Sequence, residues 1–258
     1  MDLGLKDRRA LVMGSTRGIG YAIANGLAVE GARVAVSGRD LANAEAAADD
    51  MGENARAHAL DLSDDASVAA LISALENDFG GLDLIVCNGG GPSPGNIAEV
   101  APESWMTQFQ TMFVNQIRIV NAFLPGMRDR GWGRILVLSS SAVVQPIEDL
   151  GMSNTIRAGQ RGWAKTLSNE VALDGVTVNT LLPGRIHTAR VDQIDAAAAE
   201  RHGKTVAEIV RASHAAIPMG RYGTVEECAD VAVFILSDRA GYMTGAVTRV
   251  DGGMIRSV

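Results

Sequence analysis

The sequence predicts an α/β fold, a doubly wound parallel sheet of about seven strands in a single domain. Three observations carry that expectation. Short unbroken apolar runs recur along the chain, as in strands covered on both faces. The stretches between them show the apolar spacing of helices. A Gly-rich turn joins the first apolar run to the first helical pattern, the context in which such a turn carries meaning.

The elements follow in order. Residues 10–13 form the first strand and run into Gly14-Ser15-Thr16-Arg17-Gly18-Ile19-Gly20, after which residues 21–30 read as a helix. The glycines allow a tight turn, close approach of backbone to a pyrophosphate and close packing of helix on sheet. The helix N-terminus then presents free N–H groups and a positive dipole end, the arrangement of a Rossmann-type nucleotide site. Gly31 is expected to cap this helix. The second strand, 34–37, ends in Ser37-Gly38-Arg39-Asp40, and Asp40 is placed to cap the helix over 41–51. A third strand at 57–60 leads to a helix at 66–79 with Gly80 as its C-cap, and further strands fall at 82–87, 135–138, 176–182 and 247–250. Residues 188–218, with helical stretches at 196–200 and 206–212, stand apart as one or two helices inserted before the last strand. They read as a substrate lid, with extra core cover as the alternative. The expected organisation is therefore one domain over 1–258, carrying 188–218 as an insertion.

Composition removes several functional classes. The chain is 47% hydrophobic, too apolar for disorder, and holds two cysteines, Cys87 and Cys228, too few for a disulfide scaffold. Its net charge is −7 with no clustered Lys and Arg, so no nucleic-acid partner is expected. No apolar run is long enough to span a membrane, and charges precede any apolar run at the N-terminus, unlike a secretory signal. A cytoplasmic protein is expected. His58, His187, His202 and His214 are scattered, without metal-ligand spacing, and no metal site is expected.

The Gly14–Gly18–Gly20 spacing resembles the turn of the short-chain dehydrogenase/reductase family, with Met13 where the family commonly has Thr. Further matches follow in the family's order over roughly residues 6–254: Asp61-Leu62, Asn88-Gly89-Gly90, Asn115, Ser139-Ser140, Pro183-Gly184 with Ile186 and Thr188, and Asp251-Gly252-Gly253. The resemblance implies that Asp61 and Leu62 contact adenine and that Asn88 and the run Gly89-Gly90-Gly91-Pro92 shape the ribose pocket, with a bare structural turn as the alternative for that run. It implies that Asn115 holds a helix kink and a proton-relay water, and that Ser140 meets the substrate oxygen. It also implies a homodimer or homotetramer, for which Ala164, Leu167 and Val171 offer a small apolar face. The second strand ends without an acid to accept from a ribose 2′-OH. Arg39 and Arg17 are instead placed for a 2′-phosphate, which favours NADP(H) over NAD(H).

At the catalytic end the pattern breaks. The family carries a Tyr about thirteen residues after the active-site Ser and a Lys four beyond it; counting from Ser140 reaches Ser153 and then Arg157. Tyr21, Tyr222 and Tyr242 are the three tyrosines, and none is followed by Lys at four; Lys165 is two turns beyond Arg157. Ser153 can orient a carbonyl or a water, or else cap the helix that begins there. Arg157 can hold a ribose and stabilise an oxyanion, or else form a structural ion pair. His187 is a replacement acid or a solvated loop residue. The expected activity is NADP(H)-dependent reduction of a carbonyl or enone in a small-molecule substrate, without the usual tyrosine acid. The rival readings are a cofactor-binding protein that senses nicotinamide state and a lyase or isomerase without net redox.

Overall fold

A computed structural model describes residues 1–257. In chain order the main elements are β1 (Arg9–Val12), α1 (Gly18–Val29), β2 (Arg33–Gly38), α2 (Leu41–Met51), β3 (Ala55–Ala59), α3 (Asp65–Phe79), β4 (Leu84–Cys87), α4 (Pro102–Phe109), α5 (Asn115–Asp129), β5 (Gly133–Leu138), α6 (Gly151–Val171), β6 (Val176–Pro183), α7 (Ala189–His202), α8 (Val206–Ala216), α9 (Val225–Leu236) and β7 (Val247–Val250). The strands form one sheet in the order β3-β2-β1-β4-β5-β6-β7, every neighbouring pair parallel. Strand order reverses between β1 and β4. The loops leaving their carboxyl ends therefore diverge and open the crevice in which such sheets bind ligands.

The unbroken apolar runs have a simple cause. Alternate residues of each strand point to opposite faces, and both faces are covered. Ala10, Val12, Val34, Val36, Leu84 and Val86 meet α1, α2 and α9, while Leu11, Ala35, Ile85, Ile135 and Val137 meet α3, α5 and α6. Small residues let α1 and α9 approach closely: a Cβ at Gly26 would stand 2.9 Å from Val233 Cγ2. Ala164, Leu167 and Val171 are buried in this second layer. They face the chain's own sheet, so the small apolar face expected to serve an oligomer contact belongs to the core instead.

Helix ends differ in detail from expectation. Gly80 is the left-handed C-cap of α3 and Asp40 caps α2 through Ala42 N and Asn43 N, but Glu30 holds the α1 cap and Gly31 follows it at φ +83°. The long helix expected around Asn115 is interrupted. α4 passes into a π-helical turn, Gln110–Val114, and Asn115 opens α5 beyond it. Residues 188–218 form two helices, α7 and α8, hinged at left-handed Gly203. No described helix is long and apolar enough to cross a membrane.

His58 on β3 is 7% exposed, and its Nε2 has no hydrogen-bond partner, with Asp78 at 3.7 Å. Burial lowers its pKa below 6.5, outweighing the attraction of Asp78. The unfolded chain therefore binds this proton more readily. The stability contributed by neutral His58 is present above about pH 6.5 and lost as pH falls through the lowered folded value. Between about pH 7.5 and about pH 5.5, the melting temperature of the native chain is expected to fall further than that of His58→Leu. Equal falls would assign the acid sensitivity to other groups.

Candidate active site

The turn after β1 is shaped by contacts that only glycine permits. Gly14 and Gly18 have φ +60° and +61°, and a Cβ on Gly20 would overlap Gly14 O and stand 2.6 Å from Asn88 Nδ2. Asn88, at the end of β4, donates through Nδ2 to Met13 O (2.9 Å) and Gly14 O (3.0 Å), which clamps the turn across the switch point. Ser15 is fully buried: its hydroxyl donates to Val12 O and accepts from Ser37 N. It therefore straps the turn to β2, and its side chain is not free for a ligand. Gly38 extends that strap, since a Cβ there would meet Thr16 Cγ2 at 2.5 Å.

Arg17 and Arg39 are exposed beside this turn, and neither takes part in an ion pair among the described residues. Asp40, which follows Arg39, caps α2 with its side chain. Asp61 is held below the usual carboxylate range by the hydroxyl and N–H of Ser63, with Arg39 adding attraction. Arg39 and Asp61 thus share the space beyond β2 and β3. The turn leaves backbone room for a pyrophosphate, and the two free guanidinium groups suit a further phosphate, so the residues fit a dinucleotide of the NADP type.

Asn115 opens α5 directly after the π-helical turn Gln110–Val114. Its Nδ2 donates to Leu62 O (2.9 Å) and Asp65 Oδ1 (3.1 Å), and its Oδ1 accepts from Gln110 and Arg118. The π-helical turn before it aims the amide at the start of α3. The side chain fixes the Leu62 carbonyl and has no group left over for a relay water. Gly89 lies close by, where a Cβ would be 3.3 Å from both Gln116 Nε2 and Leu62 Cδ1.

At the carboxyl end of β5, Ser139 Oγ is buried without a partner and Ser140 Oγ accepts from Ala142 N at 3.1 Å. Ser140 keeps its own O–H free to donate. Arg157 of α6 ties this end of β5 to α6. Its Nη1 donates to Leu138 O (3.0 Å) and Ser139 O (3.3 Å), and its Nε donates to Ser153 Oγ (3.2 Å). Burial, and then the neighbouring Arg190, lower the Arg157 pKa to about 10, which leaves it cationic at neutral pH. Arg157 is in no ion pair among the described residues, contrary to the structural alternative for it. Ser153 is likewise not a helix cap, because α6 begins at Gly151 with Leu150 before it. Gly151 permits that early start, since a Cβ there would strike Ile97 at 2.6 Å. Gln160, one turn beyond Arg157, donates to Met112 O (2.6 Å) and Gln116 Oε1 (2.9 Å) and locks α6 against the π-helical turn.

The loops after β4 and β6 complete the site. A Cβ on Gly91 would lie 3.8 Å from Arg157 Nη2, 3.8 Å from Ser153 Oγ and 4.0 Å from Arg190 Nη2. Gly90 has open space at the same position. Gly184 follows Pro183 with its N–H on Val250 O and no room for a side chain against Asp251. Ile186 is buried and bridges to Gly223. Thr188 caps α7, and its methyl stands 3.6 Å from where a Gly18 Cβ would be. A cavity of about 140 Å³ opens between Pro94, Ile147, Leu150, Arg185, Ile194 and Ala198.

None of the three tyrosines joins this group. Tyr21 bonds to Asp50, Tyr222 donates to Asp195 Oδ2 at 2.8 Å, and Tyr242 is fully exposed. His187 is exposed beside Asp192 at 3.6 Å, and Lys165 stands against Gly245. Sequence reasoning missed Arg190 and the Gln116–Gln160 pair. The signal for Arg190 was a cation in the first turn of a helix with no acid three or four residues on.

Residues 14–255 match the family model described as enoyl-(acyl carrier protein) reductase. The chain is 35% identical over 254 residues to the 3-oxoacyl-(acyl-carrier-protein) reductase FabG of Vibrio cholerae, covering 98% of this chain and 99% of that protein. It is 32% identical to the D-beta-hydroxybutyrate dehydrogenase of Cupriavidus necator, covering 97% and 99%. Among solved structures, L-sorbose reductase from Gluconobacter frateurii, complexed with NADPH and L-sorbose, superposes with a TM-score of 0.93 at 32% identity and 100% coverage of both chains. YwfH, an NADPH-dependent reductase involved in bacilysin biosynthesis, superposes with a TM-score of 0.93 at 28% identity, covering 98% and 100%.

Proposed function

The chain belongs to the short-chain dehydrogenase/reductase family, and from that membership we propose that it is an NADP(H)-dependent oxidoreductase that reduces a carbonyl or enone of a small molecule without a tyrosine acid. The observation that carries the reading is Arg157, bonded at once to Ser153 and to the end of β5, beside a Gly-rich cradle flanked by unpaired Arg17 and Arg39.

Bound NADPH supplies the hydride. Gly14, Gly18, Ile19 and Gly20 receive its pyrophosphate, and Arg17 and Arg39 take the 2′-phosphate. Asp61 and Leu62 wall the adenine, with Leu62 positioned by Asn115. Asn88, Gly89 and Gly90 line the ribose, and Pro183, Gly184, Ile186 and Thr188 hold the nicotinamide end. Ser15 acts only by holding the turn.

The substrate oxygen accepts hydrogen bonds from the hydroxyls of Ser140 and Ser153. Arg157 fixes the Ser153 rotamer through its Nε–H. Its charge stabilises the negative charge that develops on that oxygen, whether hydride reaches a carbonyl carbon or the conjugated carbon of an enone. Aliphatic hydroxyls are weak acids, so the proton arrives from water that the two serines orient. Residues 188–218 act as a lid, supported by Thr188 against the Gly-rich turn and by the Arg201–Asp149 ion pair that joins α7 to the loop before α6. A homodimer or homotetramer is part of this reading. Exposed Met106 and Phe109 on α4 are available for it, in place of the buried α6 face.

The test compares Ser140→Ala with Ser153→Ala in NADPH-dependent turnover. Ser140→Ala is expected to lower kcat by about 10²-fold and Ser153→Ala by roughly tenfold, the loss of one hydrogen bond of about 1.4 kcal/mol. Full activity in both variants would remove the serines from the mechanism.

A further inference from the structure

We propose that Arg190 and Arg157 form an anion subsite beside Gly91, and that the substrate carries a carboxylate that seats there. That the anion belongs to a substrate rests on the reductase reading above; the subsite stands without it.

Three observations converge on one point in space. The position of a Gly91 Cβ is 3.8 Å from Arg157 Nη2, 3.8 Å from Ser153 Oγ and 4.0 Å from Arg190 Nη2, so three donors surround a space that glycine leaves empty. Arg157 is immobilised by its Nε and Nη1 bonds, which leaves Nη2 as the edge it turns to Gly91. Arg190 is anchored by one bond, Nη2 to Pro92 O at 2.6 Å. That anchor holds the guanidinium over the loop after β4 and leaves most of its five donors uncommitted.

The electrostatics lack a counterion. Two guanidinium groups share this corner, and neither has a carboxylate within 4.0 Å among the described residues. Arg190 also occupies the first turn of α7, where the helix dipole disfavours a cation. Like charges in proximity and a cation at the wrong helix end both oppose the observed arrangement, and an anion between the two groups relieves both. The cofactor's phosphates are provided for elsewhere, by the Gly-rich turn and by Arg17 and Arg39. A carboxylate suits the seat because its two oxygens accept from two guanidinium groups, while the one Ser153 hydroxyl hydrogen stays on the reacting oxygen. Ser153 and Arg157 would then orient the reacting oxygen and the carboxylate together, as in a 2-oxo acid or an enone acid.

The experiment uses the full chain saturated with NADP⁺ and measures binding of 4-phenylbutanoate and its uncharged counterpart 4-phenylbutanamide by titration calorimetry. The carboxylate is expected to bind at least about tenfold tighter, the worth of one charge-assisted bond. Arg190→Gln should bring the two affinities together, and Arg190→Lys should keep part of the difference. Gly91→Ala places a methyl group in the seat without a clash; it should weaken the carboxylate while the melting temperature stays unchanged. Equal affinities in the native chain, or no binding of either probe at millimolar concentration, would overturn the subsite. So would a preference that survives Arg190→Gln, or a loss of NADP⁺ affinity in Arg190→Gln that leaves the preference intact, since Arg190 would then serve the cofactor. A preference that holds while the protein reduces no carbonyl would support the subsite and sink the reductase reading. Turnover without the preference would do the reverse.

Discussion

Replacing Arg157 by methionine is expected to lower kcat/KM for NADPH-dependent reduction by about 10²–10³-fold, the range for removing one preorganised donor to a developing oxyanion. The variant keeps the length of the side chain while losing its charge and all three bonds to Ser153, Leu138 and Ser139. Two backbone carbonyls at the end of β5 lose a donor, so stability should fall as well, by about 1–3 kcal/mol. Kinetics separate the two effects. A structural role alone would lower the fraction of folded protein and leave kcat per folded molecule unchanged, whereas the oxyanion role lowers kcat itself. Arg157→Lys preserves a positive charge but only a single point of donation, so it should recover part of kcat and none of the lost stability beyond one bond. Native kcat in Arg157→Met would remove Arg157 from the chemistry.

Gly20→Ala is the second large effect. Its added methyl would overlap Gly14 O and press within 2.6 Å of Asn88 Nδ2, and neither group can retreat without opening the turn. Asn88 is held by two carbonyls of that same turn, so the strain spreads from the Gly-rich loop to the end of β4. A loss of about 1–3 kcal/mol of stability is expected from overpacking. NADPH affinity should fall by at least about 100-fold, because the backbone N–H groups no longer converge on the pyrophosphate. Fluorescence titration checks the second figure and urea unfolding the first. Gly90→Ala is the control: its Cβ meets nothing within 4 Å, and stability should be unchanged.

The fold was legible because its causes are local and repeated. Unbroken apolar runs at 10–13, 34–37 and 135–138 require cover on both faces, and the glycine turn at 14–20 has a single structural context. The nucleotide end could be read for the same reason, since Gly14, Gly18, Gly20 and Asn88 act through backbone geometry. The catalytic end could be read only in part. The π-helical turn at Gln110–Val114 leaves no mark in apolar periodicity, so the direction of Asn115 toward Leu62 and Asp65 was hidden. Ser153-Asn154 has the side chains of a helix start, but α6 begins two residues earlier, at Gly151, where a larger residue would strike Ile97. Ser15 belongs to the Gly-rich turn, but the bonds of its hydroxyl to Val12 and Ser37 arise from packing that the sequence does not mark. Ala164, Leu167 and Val171 have the same apolar pattern whether they face a partner or their own sheet, and only the packing distinguishes the two. Arg190 acquires meaning from Gly91 and Arg157, which lie far from it in sequence.

The central claim is that this crevice binds NADPH in preference to NADH and passes its hydride to a small carbonyl or enone. Fluorescence titration with both nucleotides, followed by the decay of NADPH absorbance over a panel of ketones, enones and acyl thioesters, tests it most directly. The account predicts NADPH affinity at least about tenfold above NADH, the worth of one phosphate–guanidinium contact, a preference lost in Arg39→Ala, and NADPH consumption with at least one class on the panel. NADPH binding without turnover on any class would make this a cofactor-binding protein rather than a reductase, and failure to bind NADPH at all would contradict the account outright.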